Sequence, residues 1–318
     1  MPRVIQTDVT EQIELAELVD MLETGHFDSR DEDNFASWGS ELKKLGNNRR
    51  FLADLAIEEL KQACRGQVHD NQFSAQVIML HSASQRYYVR ANFWPGATDS
   101  VIRHSGNDPF FYSVPHDHNF SFLTVGYFGP GYWSDYYEYE YGEVVGYTGE
   151  KVNLKFIEKA RLEEGKVMLY RAHQDVHLQL PADALSISLN IVEASPSSVF
   201  RDQYRFNLAN STIEGILTRM SLEPMLALAV HLGGGAGEDL VTDFAARHPS
   251  ERIRWHALSA HAGAAADIDA RLGLLDAAAA RDPSLLVGDM AKREIARLEA
   301  GRAWIEAAPS IEASQPAI

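Results

Sequence analysis

Pro115-His116-Asp117-His118-Asn119-Phe120-Ser121-Phe122 decides how this chain is read, together with a second histidine cluster, Arg171-Ala172-His173-Gln174-Asp175-Val176-His177-Leu178-Gln179. Side chains of an extended strand alternate with period two, so a His-x-His pair puts both imidazoles on one face, where they can converge on one ion. Phe120, Phe122 and Thr124 continue the register of His116 and His118. The pair is therefore expected at the mouth of an apolar interior, as part of a metal site.

Around these clusters, from Phe73 to Ser195, the text consists of short runs rich in Val, Ile, Tyr, Phe and Trp. Turn signals break the runs at Pro95-Gly96, Gly106-Asn107-Asp108-Pro109, Gly129-Pro130-Gly131, Thr148-Gly149 and Pro181. Strands are predicted near 75–82, 86–94, 111–128, 132–147, 151–158, 166–171, 175–180 and 184–193, an antiparallel β domain of the jelly-roll kind. Glu164-Gly165-Lys166-Val167 reads as the tight turn ahead of the second cluster.

The flanks are helical. Leu15, Leu18, Val19 and Leu22 form an amphipathic stripe that Gly25 would stop, and Phe51 to Lys61 reads as a second helix. After Asn207, helix-like blocks fall near 211–232, 236–247, 250–262, 265–281 and 283–299. Ser211-Thr-Ile-Glu214 fits a capping box, and Asp282-Pro283 fits an N-cap with a first-turn proline. Their alanine-rich text resembles HEAT-like helix pairing without a strict period. The expected organisation is a helical segment over 1–70, a β domain over 71–200, a helical domain over 201–305 and a flexible tail over 306–318.

Composition narrows the function. Forty-five acidic against 29 basic residues give a net charge of -16, which disfavours binding to nucleic acid or an anionic membrane. Cys64 is the single cysteine, so there is no intrachain disulfide and no cysteine-based zinc knuckle. No basic region followed by an apolar run opens the chain, and no stretch approaches the roughly 18 apolar residues of a membrane span. A reducing, cytoplasmic setting is expected.

His116-Asp-His118 ahead of a phenylalanine-rich strand, then His177 and Ala184-Leu-Ser-Ile-Ser-Leu-Asn190, resembles the cupin superfamily, and within it most the thiol-dioxygenase branch typified by cysteine dioxygenase. The resemblance covers about residues 75–195. It implies a central cupin-type antiparallel β-barrel in an α+β chain, with Fe(II) held by His116, His118 and His177. Tyr88-Val-Arg90 resembles the Tyr-x-Arg element whose arginine holds a substrate carboxylate in that branch. Leu123-Thr124-Val125 stand where the usual cupin has a glutamate, and Cys64 lies outside the β domain, away from the place of that branch's thioether cysteine.

Alternatives at the site stay open. His173, Asp175 and His177 share a face if that segment is extended, so the third ligand is open among them; His177 is favoured by the strand-like run after it, and His173 is then read as a residue supporting the ligands. His173-Gln-Asp175 also mimics the His-x-Asp of 2-oxoglutarate hydroxylases, which needs a downstream strand histidine that His231 and His248, in helical text, do not supply. In the alternating Tyr136 to Tyr141 run, Glu138 or Glu140 is a candidate fourth ligand. Arg90 is a candidate carboxylate clamp; Tyr88 is carried as a catalytic candidate beside its reading as a packing aromatic. Arg103, His104, Tyr127, Trp133 and Gln179 are candidate pocket liners, and His231, His248, His256 and His261 are assigned to structure.

The function expected from the sequence is a mononuclear non-heme Fe(II) dioxygenase acting with O2 on a small polar molecule such as an amino acid, thiol or related carboxylate. A Zn, Ni or Mn isomerase, lyase or hydrolase using the same triad as a Lewis acid is the alternative, as is a nonenzymatic sensor. The C-terminal helices are a candidate partner platform, homodimer surface or lid.

Overall fold

The computed structural model describes residues 1–70, 76–83, 86–196, 198–218 and 222–307. Two compact units emerge, Met1–Thr218 and Arg219–Ile318. In the first, a short strand β1 (Arg3–Ile5) precedes helices α1 (Leu15–Thr24), α2 (Glu32–Ser37), α3 (Gly39–Asn47), α4 (Phe51–Lys61) and α5 (Arg65–Asp70). Strands β2 (Val77–Ala83) and β3 (Tyr87–Trp94), helix α6 (Ser100–Ser105), and strands β4 (Phe122–Phe128), β5 (Trp133–Glu138), β6 (Lys155–Arg161), β7 (Val167–Tyr170), β8 (Asp175–Gln179) and β9 (Ser186–Glu193) follow. The hairpin β10 (Tyr204–Asn207) and β11 (Thr212–Ile216) closes the unit.

Six strands form one antiparallel sheet in the order β1-β7-β4-β9-β3-β2, and three form a second in the order β6-β5-β8. The large sheet is buried on both faces. Its odd-numbered residues, such as Val89, Leu123, Leu169 and Ile191, pack against Leu18, Leu22, Leu42 and Leu45 of α1 and α3. Burying each such leucine stabilises by about 1.5–3 kcal/mol. Its even-numbered residues, such as Trp94, Phe122, Met168 and Tyr170, meet Tyr132, Tyr136 and Leu162 of the small sheet's layer. That inner layer holds the histidines. Helix α3 lies close on β4 because residue 46 is glycine: a Cβ there would stand 3.2 Å from Val125 Cγ1.

The strand text from Val77 to Glu193 largely folds as read, but among the described residues the strands do not close into a barrel. The strand predicted over 111–128 begins only at Phe122; Phe111 (φ 56°) and Ser113 (φ 61°) take left-handed backbone conformations, and His116 makes isolated bridges in place of a continuous strand. The strand predicted over 132–147 ends at Glu138. The turn at Glu164-Gly165 is present, with Gly165 at φ 83° and Lys166 N–H donating to the Glu163 carbonyl at 3.1 Å.

Three departures have clear causes. Ser211-Thr-Ile-Glu214 does not cap a helix. Its glutamate reaches across the hairpin to Arg205 Nε at 2.8 Å instead of returning to the Ser211 backbone, and Thr212 and Ile213 bury in strand β11. Between the two predicted N-terminal helices, Asp31 caps α2 through the N–H groups of Asp33 and Asn34. Strand β1, three residues long, is held by pairing Val4 with Met168 at the sheet edge, a non-local contact without local signal.

The second unit contains α7 (Leu222–Leu232), α8 (Gly234–Arg247), α9 (Glu251–Gly263), α10 (Ile268–Arg281) and α11 (Leu285–Ala307). Leu226, Val230, Val241 and Ile253 join α7, α8 and α9, while Trp255, Leu275, Val287 and Leu298 join α9, α10 and α11. The cap of α11 is Ser284, whose Oγ accepts from Val287 N–H at 3.3 Å; Asp282 instead accepts from Ser284 N–H and Arg254. The tail beyond residue 307 lies outside the described residues. No described helix is long and apolar enough to cross a membrane.

Candidate metal centre

His116, His118 and His177 form the one described group of three or more potential metal-ligating side chains, their donor atoms all within 4.8 Å of one another. Backbone pairing brings the distant clusters together: His116 N–H donates to the His177 carbonyl at 3.1 Å and His177 N–H returns to the His116 carbonyl at 3.0 Å. His118 Nε2 lies 3.1 Å from His177 Nε2, which lies 3.2 Å from His116 Nε2. Metal-nitrogen bonds of about 2.0–2.1 Å at ligand angles between octahedral and tetrahedral separate nitrogens by about 2.9–3.4 Å, so the two spacings made by His177 fit ligands of one ion.

Protonation agrees. His116 Nδ1 lies 2.8 Å from the Val114 carbonyl, which fixes its proton there and leaves Nε2 as an acceptor. A single proton on His177 Nε2 can point at only one of its two neighbours, so hydrogen bonding alone cannot satisfy all three nitrogens, whereas a cation can. Burial lowers the His116 pKa and pushes those of His118 and His177 well below the usual histidine value; the neighbouring rings lower His118 and His177 further. All three are held neutral, the ligand form.

Behind the triad, Asp117 is fully buried. Its carboxylate accepts from Tyr204 N–H at 2.6 Å and from the Tyr139 hydroxyl at 2.6 Å, so the residue between the two ligands is pinned on the side away from them. Burial, reinforced by Asp117, pushes the Tyr139 phenol far above its ordinary value and keeps it a donor. His173 belongs to this rear layer. Its N–H donates to the His118 carbonyl at 2.8 Å, its ring lies 4.0 Å from that of Tyr141, and its Nδ1 is 3.7 Å from Asp117. It does not line the cavity in front of the triad.

That cavity measures about 220 Å³. Phe111, Phe120, Phe122, Trp94 and Tyr132 supply aromatic wall, while Gln76, Asn92, Gln179, Asn190 and Gln203 supply carboxamides. Among the described residues Arg90 is the only charged liner, the histidines being neutral, and it is 9% exposed. Burial lowers its pKa, Tyr88 and Tyr132 opposing the shift, and a guanidinium stays a cation regardless. Its carbon sits 5.8 Å from the Tyr88 ring centroid, so Tyr88 acts on Arg90 by cation-π contact while lying outside the cavity lining.

The remaining candidates separate. Gln179 lines the cavity and shares a side-chain hydrogen bond with Tyr132. Arg103 and His104 are exposed on α6. Tyr127 faces the helices and donates to the Asn48 carbonyl at 3.0 Å, and Trp133 is 38% exposed under the Arg161 guanidinium. Neither carboxylate of the tyrosine run joins the triad: Glu138 accepts from Arg171 Nη2 at 2.9 Å, and Glu140 is exposed. Asn92, Trp94, Tyr132, Gln76, Gln203 and Phe111 are site residues that the sequence did not reveal. Asn92 and Trp94 continue the alternation of Arg90 along β3, a usable signal once Arg90 is placed.

No family model and no curated protein matches the chain. Slight likenesses to solved structures exist. A structure of DMSP lyases RdDddP and RnDddQII aligns at 11% identity and a TM-score of 0.24, over 40% of this chain and only half, 50%, of that one. Hydroquinone 1,2-dioxygenase PnpCD, in complex with Cd2+ and 4-hydroxybenzonitrile, aligns at 13% and 0.26 over 41% and 71%. DMSP lyase DddQ from Ruegeria pomeroyi DSS-3 aligns at 11% and 0.23 over 61% and 76%. Such scores assign neither a fold nor an activity to the chain.

Proposed function

We propose that the chain is a metal-dependent enzyme, a cupin-type dioxygenase that holds one ferrous ion on His116, His118 and His177 and acts with O2 on a small carboxylate. The reading is supported by the convergence of three neutral imidazole nitrogens on a small cavity whose one permanent cation is Arg90. Bound ferrous iron supplies the redox chemistry that O2 needs to react with an organic substrate, and three nitrogen donors suit it.

The chain's own residues do the rest. Arg90 receives the carboxylate through its planar fork and orients the molecule against the triad. A cavity of about 220 Å³ is smaller than a typical drug-sized pocket of about 300–1,000 Å³, so only a small molecule fits. Phe111, Phe120 and Phe122 give that space apolar walls, and the burial of Arg90 strengthens its contact with a carboxylate. Asp117 and Tyr139 hold the ligand loop in place from behind.

The test is to purify the protein anaerobically, measure bound metals by elemental analysis beside a His118→Ala variant, and follow O2 consumption with small thiol, hydroxy and amino carboxylates. Near-stoichiometric iron that the variant loses, with carboxylate-dependent O2 uptake, is the expected result. Zinc, nickel or manganese lost in the same way, with turnover that needs no O2, replaces the dioxygenase by a Lewis-acid enzyme. No metal in either protein overturns the reading.

A further inference from the structure

We propose that this site selects small carboxylates whose remaining polar group is uncharged, and that Asn190 and Asn92 set the selection; the proposal rests on the carboxylate-binding reading above. The cavity wall joins one buried cation to carboxamides, and among the described residues no acidic side chain lines it. A substrate ammonium brought there meets the Arg90 guanidinium in a desolvated space with no carboxylate to pair with, the costly case for a buried charge. A hydroxyl or carboxamide meets groups that can both donate and accept.

The placement of the two asparagines is specific. In the pairing of β3 with β9, Arg90 stands opposite Asn190, and Asn92 is the next residue of β3 on the same face. On the other side of β9, Thr124 stands opposite Asn190. A polar row thus crosses the inner face of the large sheet beside the triad. Asn190 is 3% exposed and Asn92 7% exposed. Their one side-chain hydrogen bond is to each other, Asn190 Nδ2 to Asn92 Oδ1, at 3.3 Å. That distance is beyond the usual range of about 2.7–3.2 Å, and it leaves Asn190 Oδ1 and Asn92 Nδ2 without a protein partner among the described residues. An acceptor and a donor, both on buried side chains lining the cavity, are what a neutral polar substituent needs once its carboxylate is on Arg90. Buried polar groups left unmatched by the wrong ligand are a strong source of discrimination.

The experiment is calorimetric titration of the metal-loaded protein with 3-hydroxypropionate and with 3-aminopropionate, two carboxylates that differ in the charge of one group. The wild-type protein is expected to bind the hydroxy acid about tenfold or more tightly than the amino acid. Asn190→Asp, which adds a carboxylate opposite Arg90, is expected to shift that ratio by about tenfold or more toward the amino acid. Asn92→Asp gives the same readout if the first variant does not fold. Equal binding of both acids by the wild type, or an unchanged ratio in a folded aspartate variant, overturns the selectivity; if Arg90→Gln still abolishes binding, the carboxylate reading stands without it. Failure of the wild type to bind either acid overturns both.

Discussion

His118 Nε2 and His177 Nε2 face each other at 3.1 Å across 59 residues of sequence, and among the described residues neither ring reaches a hydrogen-bond partner through its Nδ1. Two neutral nitrogens held so close are an electrostatic liability that a cation turns into an asset. Replacing either ring is expected to abolish stoichiometric metal binding while leaving the fold intact. The check is elemental analysis with thermal melts of the loaded and stripped wild type: an ion bound to the folded chain alone at a hundred times its dissociation constant adds about 2.7 kcal/mol. Identical melts for loaded and stripped protein would speak against the site.

Acid should unfold the metal-free protein early. The three imidazoles have pKa values held below the ordinary histidine value of about 6.5, to which they return on unfolding. Below that pH the unfolded chain binds more protons than the folded one, so stability falls as pH falls, and above it the contribution is complete. Urea melts of the stripped protein at a series of pH values from neutral downward should show midpoints dropping below about pH 6.5, well before carboxylates titrate. A flat series through that window would contradict the buried, neutral triad.

Arg171 is expected to be a structural hot spot of β8. Its guanidinium binds the fully buried Asp175 at 2.7 Å and Glu138 at 2.9 Å, and Asp175 is two residues from His177 on the same strand face. Arg171→Ala leaves the buried Asp175 carboxylate only the N-terminal ammonium of Met1, at 3.4 Å, in place of two guanidinium contacts, which costs up to about 3 kcal/mol. A denaturant midpoint within error of wild type would show that Asp175 finds another partner. Weaker metal binding should accompany the loss of stability, because β8 carries the third ligand.

Gly131 stands two residues before β5 with φ 80°, and a Cβ there would collide with the Leu162 carbonyl. Gly131→Ala is expected to destabilise the first unit by about 2 kcal/mol or more, from backbone strain and displacement of the strand pairing that follows. Gly142→Ala, where a Cβ meets nothing within 4 Å, is the control and should stay within about 0.5 kcal/mol of wild type.

The triad was legible because the His-x-His spacing and the aromatic residues after it are local signals, although the pair precedes β4 and is held by backbone bridges of His116 instead of lying on the expected strand. The opposite wall was not. Asn190, Tyr132 and Gln203 come together only through the tertiary arrangement of their strands and adjoining segments, and none is locally unusual. The hairpin at Tyr204–Ile216 was misread because its Ser-x-x-Glu spacing serves equally a helix cap and a strand whose glutamate pairs across the turn. Residue 111 carried no warning of its left-handed backbone, which shortened a predicted strand and turned a phenylalanine toward the cavity.

His116 has a second office in its main chain. It bridges to His177 on one side and to Arg205 on the other, so the strand of the third ligand and the last hairpin are tied to the same residue. The first ligand is thus tied by its backbone to two later places in the sequence, the more C-terminal of them the last hairpin. A chain cut short before Arg205 would carry all three histidines yet lack one of the two backbone partners of the first.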